Sequence, residues 1–320
     1  MQFTTPVPIQ KSNTQIDYSS RILSLGSCFA ENIGEKLDYF KFRSETNPFG
    51  ILFHPPALEK IISRAILKEE FTEKEIFFHN ERWHSFDVHS GLSDTDKGAF
   101  LQTLNTKLLL LREHLFQSTH ILITLGTSWV YRKTETGQLV ANCHKVPQKE
   151  FSKELLSAEE IKQSLKRIID SVAAVNAEAS IIFTISPVRH IKDGLVENQR
   201  SKANLISAVH EIISYESGAA SYFPSYEIMM DELRDYRFYA EDMLHPSQTA
   251  VDYIWEKFAE ASVSGPASSL MKDIDFIQKA LRHKPFNREG LEYQKFKEHC
   301  RQKITALKLK LPFIDFDFSA

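Results

Sequence analysis

The chain has 320 residues, of which 42% are hydrophobic and 25% charged, and its formal net charge is −3. These values are typical of a globular protein with a sizeable core, and they give no basic surface for nucleic acid. Cys28, Cys143 and Cys300 are far apart and form no C-x-x-C pair, so their spacing indicates neither a disulfide framework nor a zinc site. No secretory signal or membrane-length apolar stretch is present, so we expect a cytoplasmic protein without a membrane partner. The sequence does not indicate an oligomeric state.

Short apolar runs alternate with longer segments of helical spacing along most of the chain. The predicted strands are 21–25, 40–46, 120–125 and 180–185, and the predicted helices are 31–37, 98–116, 157–175, 204–214 and 247–258. This alternation predicts a parallel sheet with crossover helices, in a three-layer α/β/α sandwich. Ligands bind such sheets beyond the carboxyl ends of the strands. The segments Gly26-Ser27, Gly126-Thr127-Ser128 and Ser186-Pro187 are expected at that edge.

Two polar, aromatic segments, 76–94 and 129–150, interrupt this alternation and are predicted to form substrate walls. After Ser262, a Ser-Gly-Pro stretch precedes charged helical segments at 276–281 and 288–309. The tail 313–318 alternates apolar with acidic residues and is expected to dock as an extended arm. We therefore divide the chain into a domain of residues 1–262 and a C-terminal helical extension, 263–320, that packs on it.

Ser27 and the pair Asp242 and His245 carry the chemistry that the sequence predicts. A serine between a buried strand and a helix lies near free backbone N–H groups and the positive end of the helix dipole, which suits a nucleophile whose attack creates an oxyanion. Asp242 precedes His245 by three residues, so its carboxylate can hold Nδ1–H while Nε2 takes the serine proton. The alternative roles are structural: Ser27 as a helix N-cap, Asp242 as a turn residue and His245 as a half-buried hydrogen-bonding residue. Together the two segments favour a serine hydrolase or acyltransferase.

The string Gly26-Ser27-Cys28-Phe29-Ala30 resembles the name-giving motif of the GSCFA family, which belongs to the SGNH/GDSL-like hydrolase superfamily. The resemblance covers roughly residues 20–260. The supporting segments are Asn47-Pro-Phe-Gly50, Phe86-Asp-Val-His-Ser90, Leu125-Gly-Thr-Ser-Trp129, Asn142-Cys-His-Lys145, Ser186-Pro-Val-Arg-His190 and Asp242-Met-Leu-His-Pro246.

This resemblance implies a flavodoxin-like parallel sheet, with Ser27 as nucleophile, His245 as general base and acid, and Asp242 as the residue that orients the imidazole. It also implies an ester-directed reaction through an acyl-enzyme. No metal ion or organic cofactor is expected.

The resemblance further implies an oxyanion hole built from the serine N–H, a glycine N–H and an asparagine side chain. Ser27 and Gly50 are the candidates for the first two donors. The superfamily's Gly-x-Asn aligns with Gly126-Thr127-Ser128, which puts Ser128 in the place of the amide. The missing donor is then Ser128, Thr127 or the amide of Asn142. Losing one such donor typically lowers turnover by about 10²–10³-fold.

The other candidate residues would contact substrate. His84, His89 and His144 match no standard metal-ligand spacing, so His89 and His144 are assigned to substrate or structural hydrogen bonds. Trp129 is a candidate for stacking on a sugar ring, and Arg189 and His190 for contacting an anionic or hydroxylated group. Cys28 could rival Ser27 as nucleophile, but a thiol here more often packs beneath the helix.

From these residues we predict a serine esterase or O-acyltransferase that acts on a small acyl ester, with carbohydrate esters as one option. The alternative is a catalytically weak or inactive module that keeps the fold and binds a glycan or a protein partner.

Overall fold

The computed structural model describes residues 4–215, 218, 220–283 and 290–316. Its strands are β1 (Arg21–Gly26), β2 (Arg43–Thr46), β3 (Phe77–His79), β4 (Arg82–His84), β5 (His120–Leu125), β6 (Trp129–Lys133), β7 (Leu139–Val140), β8 (Phe151–Leu155), β9 (Ser180–Ile185) and β10 (Ala220–Phe223). Its longer helices are α1 (Cys28–Tyr39), α2 (Pro55–Leu67), α3 (Lys97–Gln117), α4 (Ala158–Val175), α5 (Leu195–Tyr215), α6 (Gln248–Ser262), α7 (Gly265–Arg282) and α8 (Leu291–Lys310).

Five strands form the central sheet in the order β10-β9-β5-β1-β2, and every neighbouring pair is parallel. One face packs against α2, α3, α4 and α5, and the other against α1, α6 and α7. β1, β5 and β9 are buried almost throughout, as their largely apolar sequences require in a sheet covered on both faces. The predicted three-layer α/β/α sandwich is confirmed.

Several elements differ from the prediction. The strand predicted at 40–46 is the shorter β2, and the helices predicted at 31–37, 204–214 and 276–281 are parts of the longer α1, α5 and α7. Helix α2 and edge strand β10 were not predicted. The segment 76–94 contains the hairpin β3-β4, and β6, β7 and β8 form an antiparallel sheet in the order β7-β6-β8.

The C-terminal helices pack on the α1 side of the sandwich. The hydroxyl of Tyr39 donates to Asp275 at 2.9 Å, and Gln278 donates to the carbonyl of Tyr39 at 2.8 Å. In the tail, Ile314 and Phe316 are buried. Residues 284–289, with the predicted start of the last helix, and residues 317–320, with the end of the predicted arm, lie outside the described residues. The division at residue 262 stays a prediction.

No helix in the described part of the chain is long and apolar enough to cross a membrane.

Strands β1 and β5 come unusually close at Gly26. Its φ angle is +136°, and a Cβ atom there would lie 2.1 Å from the carbonyl oxygen of Thr124. Only glycine combines this backbone conformation with this approach. Because Ser27 follows directly, the close approach fixes where the serine leaves the sheet.

We expect Gly26→Ala to destabilise the fold by at least about 3 kcal/mol, since the added methyl group meets backbone and the φ angle is strained. Gly137→Ala is the matched control, because Gly137 also has a positive φ, +71°, but open space around it. In Gly137→Ala, only the backbone strain of the positive φ angle, about 1 kcal/mol, should lower the free energy of unfolding. Denaturant unfolding of both variants measures the difference, and equal costs would refute the close-contact explanation.

Candidate functional site

Ser27 is the N-cap residue of α1 and leaves the sheet directly after β1. Its Oγ accepts a hydrogen bond from the N–H of Phe29 at 3.3 Å. Its own N–H, the predicted first oxyanion donor, donates to the carbonyl of Thr124 at 3.0 Å and is therefore not free in this conformation, which corrects that prediction. The residue is 1% exposed. The hydroxyl therefore lies at the positive end of the helix dipole, as predicted, and the N-cap role is present beside any catalytic one.

Asp242 and His245 form a hydrogen-bonded pair on the loop before α6. Nδ1 of His245 lies 2.6 Å from Oδ2 of Asp242, while Oδ1 accepts from the N–H groups of His245 at 3.0 Å and Leu244 at 2.9 Å. These hydrogen bonds, led by the two from His245, lower the pKa of Asp242 to about 2. The carboxylate is thus ionised at ordinary pH and can hold the Nδ1 proton, which leaves Nε2 as the free base.

The loop that carries this pair lies beside the loop that follows β9. The N–H of Arg189 donates to the carbonyl of Leu244 at 3.1 Å. The charge of His245 also contributes to the low pKa of His190, so the two imidazoles are near each other. Among the described residues no hydrogen bond joins Ser27 to His245. Catalytic hydrogen bonds are often long before substrate binds, and the complete triad stays a prediction.

Gly126, directly after β5, marks the point where the site residues converge. A methyl group at Gly126 would lie 3.3 Å from Cβ of Ser27, 3.3 Å from Nε2 of His190 and 2.8 Å from Cβ of Phe53. Three side chains from three separate segments therefore surround one glycine. The predicted meeting of the β1, β5 and β9 ends at one edge is present at these residues.

The hydroxyls of Thr127 and Ser128 point to helix α5 and are used there. Ser128 Oγ donates to the carbonyl of Ser201 at 3.1 Å, and Thr127 Oγ1 lies 2.8 Å from Ser201 Oγ. A hydroxyl has one proton to donate, so Ser128 in this conformation has none left for an oxyanion. The predicted replacement of the superfamily asparagine by Ser128 is corrected accordingly, and Thr127 is equally part of the contact with α5.

Two further candidate oxyanion donors are placed differently from the prediction. The N–H of Gly50 donates to the carbonyl of Asn47 at 2.7 Å, which closes the turn of residues 47–50. Asn142 accepts from the N–H of His144 at 2.8 Å and lines a pocket beyond Phe53. Gly50 in this conformation therefore has no free N–H, and Asn142 lines that pocket rather than the surroundings of Gly126.

Two buried side-chain nitrogens near Ser27 have no partner among the described residues: Nδ2 of Asn47, an amide donor, and Nε2 of His190, which is a donor in the Nε2–H tautomer. Oδ1 of Asn47 accepts from the N–H of Gly26 at 2.8 Å, so its amide lies next to the strand end that precedes Ser27. Burial, with the nearby charges of Lys202 and His245, lowers the pKa of His190 to about 3. The His190 imidazole is therefore neutral at ordinary pH. Orphaned buried donors are rare and call for an explanation.

Lys202, which the sequence analysis did not single out, lies at the base of the site. It is 1% exposed, and its Nζ donates to the carbonyl of Gly126 at 2.6 Å and that of Ser186 at 2.7 Å. Burial lowers the pKa of Lys202 to about 7. The sequence does carry a signal for this buried lysine. The spacing of Asn198, Ser201, Lys202 and Leu205 is that of the buried face of a helix, with polar residues at one end of that face.

A pocket of about 410 Å³ opens on the other side of Phe53 and is called the aromatic pocket here. Its lining comes mainly from the predicted wall segment 129–150, so that segment does enclose a cavity. The lining residues are Phe53, His54, Trp129, Tyr131, Val140, Ala141, Asn142, Cys143, Lys145, Val146, Gln148, Phe151 and Lys192.

The remaining predicted contact residues are spread around this region. His89 packs against Gly50. A Cβ atom added at Gly50 would lie 2.5 Å from the Cβ atom of His89. His144 is buried, with Nε2 2.6 Å from the carbonyl of Ser85. The guanidinium of Arg189 lies 4.0 Å from the ring centre of Tyr239. No group of three or more His, Cys, Asp or Glu side chains in the described part of the chain could hold a metal ion.

Burial raises the pKa of the Cys28 thiol, which is half-buried behind Ser27 at the start of α1. A raised pKa lowers the fraction of reactive thiolate. The environment therefore favours packing over nucleophilic attack for this cysteine.

Comparison with known proteins gives two family matches. The model of the GSCFA family matches residues 21–258, and that of the GSCFA domain protein C-terminal domain matches residues 274–319. No curated protein matches the chain. One solved structure, of a protein from Streptococcus pneumonia described as a candidate platelet activating factor, is 12% identical, with a TM-score of 0.40 over 75% of this chain and 83% of that one. A similarity this low does not bear on function.

We expect Lys202→Met to destabilise the protein by about 2–4 kcal/mol, because two buried carbonyls lose a charge-assisted donor. Lys272→Met, at an exposed position of α7, is the control and should change stability by less than about 0.5 kcal/mol.

The same pair of proteins gives a pH test. Lysine in an unfolded chain titrates near pH 10.4, whereas burial lowers the pKa of Lys202 to about 7. Between these values the unfolded chain binds more protons, so the unfolding free energy of the wild type should rise relative to Lys202→Met as the pH increases from 7 to about 10. Urea unfolding across this range measures it, and parallel curves would contradict a buried, titrating lysine.

Proposed function

We propose that this chain, which belongs to the GSCFA family, is a serine esterase or O-acyltransferase of the SGNH/GDSL-like type that acts on a small acyl ester. The observation that carries the proposal is the formed Asp242–His245 pair, with Nδ1 2.6 Å from the carboxylate, on a loop bonded to the loop of His190 beside Ser27. Because the carboxylate holds Nδ1, Nε2 of this imidazole is left to act as a base. The arrangement supports nucleophilic catalysis.

In the proposed reaction Ser27 Oγ attacks the ester carbonyl carbon while Nε2 of His245 takes the hydroxyl proton. Asp242 holds the imidazole in the required tautomer and stabilises the imidazolium that forms. The alcohol leaves with the proton returned by His245. Water or another hydroxyl then attacks the acyl-enzyme, with His245 again as base, which gives hydrolysis or transfer. His245 is about half exposed, so its ring has room to approach Ser27 when substrate binds.

We assign oxyanion stabilisation to Asn47 and His190. Both have a buried nitrogen without a partner in the described structure, and both lie beside the backbone of Gly26 or Gly126 at the nucleophile. A neutral imidazole can donate from Nε2 without carrying charge into the site, and the pKa of His190, lowered by burial to about 3, keeps it neutral. Asn47 supplies the side-chain amide that the superfamily pattern places elsewhere in the chain.

The second candidate function is a binding module without catalysis. Its support is the 1% exposure of Ser27, together with the absence, among the described residues, of a hydrogen bond from Ser27 to His245. A hydroxyl that stayed closed to substrate would act only as the N-cap of α1.

We expect a fluorophosphonate probe to label the protein at a single serine, since it reacts with activated nucleophiles of this kind. Ser27→Ala should abolish labelling, and His245→Ala should slow it by about 10³-fold or more. Mass spectrometry of the labelled peptide and the labelling rate are the measurements.

Cys28→Ala is the neighbouring control, which should label at the wild-type rate because the thiol takes no part. Circular dichroism of each variant shows whether the fold is intact. A folded wild-type protein that resists labelling would favour the binding module.

We expect His190→Phe and Asn47→Asp each to lower kcat by about 10²–10³-fold with little change in KM, because each removes one oxyanion donor. Asn47→Asp keeps the acceptor for the N–H of Gly26. His190→Gln restores an N–H donor and should lose less activity than His190→Phe.

Because His190 is neutral over the working range, the pH profile of kcat should keep its shape in His190→Gln. A shifted profile would identify His190 as the titrating base in place of His245. Unchanged kcat in both donor variants would refute the assignment.

A further inference from the structure

We propose that the aromatic pocket binds an organic anion that carries a ring, and that the ester substrate therefore has a negatively charged group at a distance from its reacting carbonyl. This inference rests on the proposed function for the reaction but on a different set of residues for recognition. It goes beyond an acyl ester in general by stating the charge of the substrate.

Aromatic side chains form much of the lining of this pocket. The indole N–H of Trp129 donates to the carbonyl of Glu197 at 3.3 Å, which fixes the ring. Tyr131, Phe151 and Phe53 contribute further rings. Rigid aromatic walls provide stacking area at low entropic cost and favour planar or ring-bearing ligands.

The charges at this pocket are all positive. Lys145 and Lys192 line it, and no aspartate or glutamate is among its lining residues. Neither lysine pairs with a carboxylate in the described part of the chain. Lys153, which lies over the ring of Trp129 at 4.8 Å, is by contrast paired with Asp193. The ammonium group of Lys192 lies 5.9 Å from the ring centre of Tyr131. Two ammonium groups without a carboxylate partner, beside a low-dielectric wall, attract an anion.

A nearby pocket shows that unpaired cations are not general on this surface. This second pocket is lined by cationic side chains too, namely Lys60, Arg64 and Arg167. These side chains form ion pairs with Asp87, Glu75 and Glu59, respectively. The charges there are satisfied within the protein. Only the aromatic pocket, of these two, leaves its cations for a ligand.

The aromatic pocket is adjacent to the candidate nucleophile. Phe53 lines the pocket, while its Cβ lies 2.8 Å from where a methyl group on Gly126 would be, next to Ser27. Its ring centre is 6.1 Å from that of His190. One side chain, Phe53, thus lies between the pocket and Ser27, so the proposed substrate would extend past Phe53 to reach both. Asn142 adds a side-chain amide whose nitrogen has no acceptor among the described residues.

The test measures binding without turnover. In the Ser27→Ala protein, calorimetry measures the affinities of phenyl β-glucuronide and phenyl β-glucoside. The glucuronide carries a carboxylate where the glucoside carries a hydroxymethyl group. We expect the glucuronide to bind roughly 3–10-fold more tightly at low salt, with the preference lost at about 0.5 M salt. The double variant Lys145→Gln/Lys192→Gln should bind the two probes about equally.

Lys149→Gln is the matched control, since Lys149 is exposed on the same segment but outside the pocket lining. It should keep the wild-type preference. Equal binding of the two probes to the wild-type pocket, binding of neither, or a preference that survives the double variant would overturn the inference. Failure of the proposed reaction would be seen separately. The wild-type protein would then still prefer the glucuronide, but a fluorophosphonate would not label Ser27.

Discussion

The ammonium group of Lys202 is the interaction on which the site most depends. It lies in a fully buried position and joins the carbonyl of Gly126, after β5, to that of Ser186, after β9. Taking a charge out of water is costly, and the pKa lowered to about 7 reflects that cost. Two short hydrogen bonds offset part of it. The two strand ends are thereby held together beneath the loops that carry the candidate residues.

This constraint explains why the donors beside Ser27 can remain unpaired. An orphaned buried N–H costs about 1–3 kcal/mol, and a loop free to move would turn it towards an acceptor. His190 cannot do so easily, since its backbone N–H is bonded to Asn198 on α5, one turn before Lys202. Asn47 is held by its bond to Gly26. Under the proposed function, an incoming oxyanion would restore the stability lost at these unpaired groups, as in a preorganised site.

The sequence predicted the parts of the molecule whose signal is local. β1, β5 and β9 are largely apolar and stop at glycine or serine, and Asp242 and His245 are three residues apart. β10 was missed because a four-residue edge strand of mixed polarity resembles a loop. Lys202 was missed because its role exists only through Gly126, 76 positions earlier. The same holds for Ser128, whose hydroxyl donates to the carbonyl of Ser201, 73 positions later.

In the proposed function, recognition and chemistry would take place at different sheets, and Phe53 would connect them. Its side chain lines the aromatic pocket, while its carbonyl accepts from the N–H of Gly126 at 2.7 Å and that of Thr127 at 3.4 Å. A ligand that moves this wall therefore also acts on the backbone beside Ser27. Binding energy gained at Lys145 and Lys192 can in this way contribute to positioning the ester at the nucleophile, which raises kcat rather than affinity alone. A small ester without the distal anion would then react slowly even at saturation.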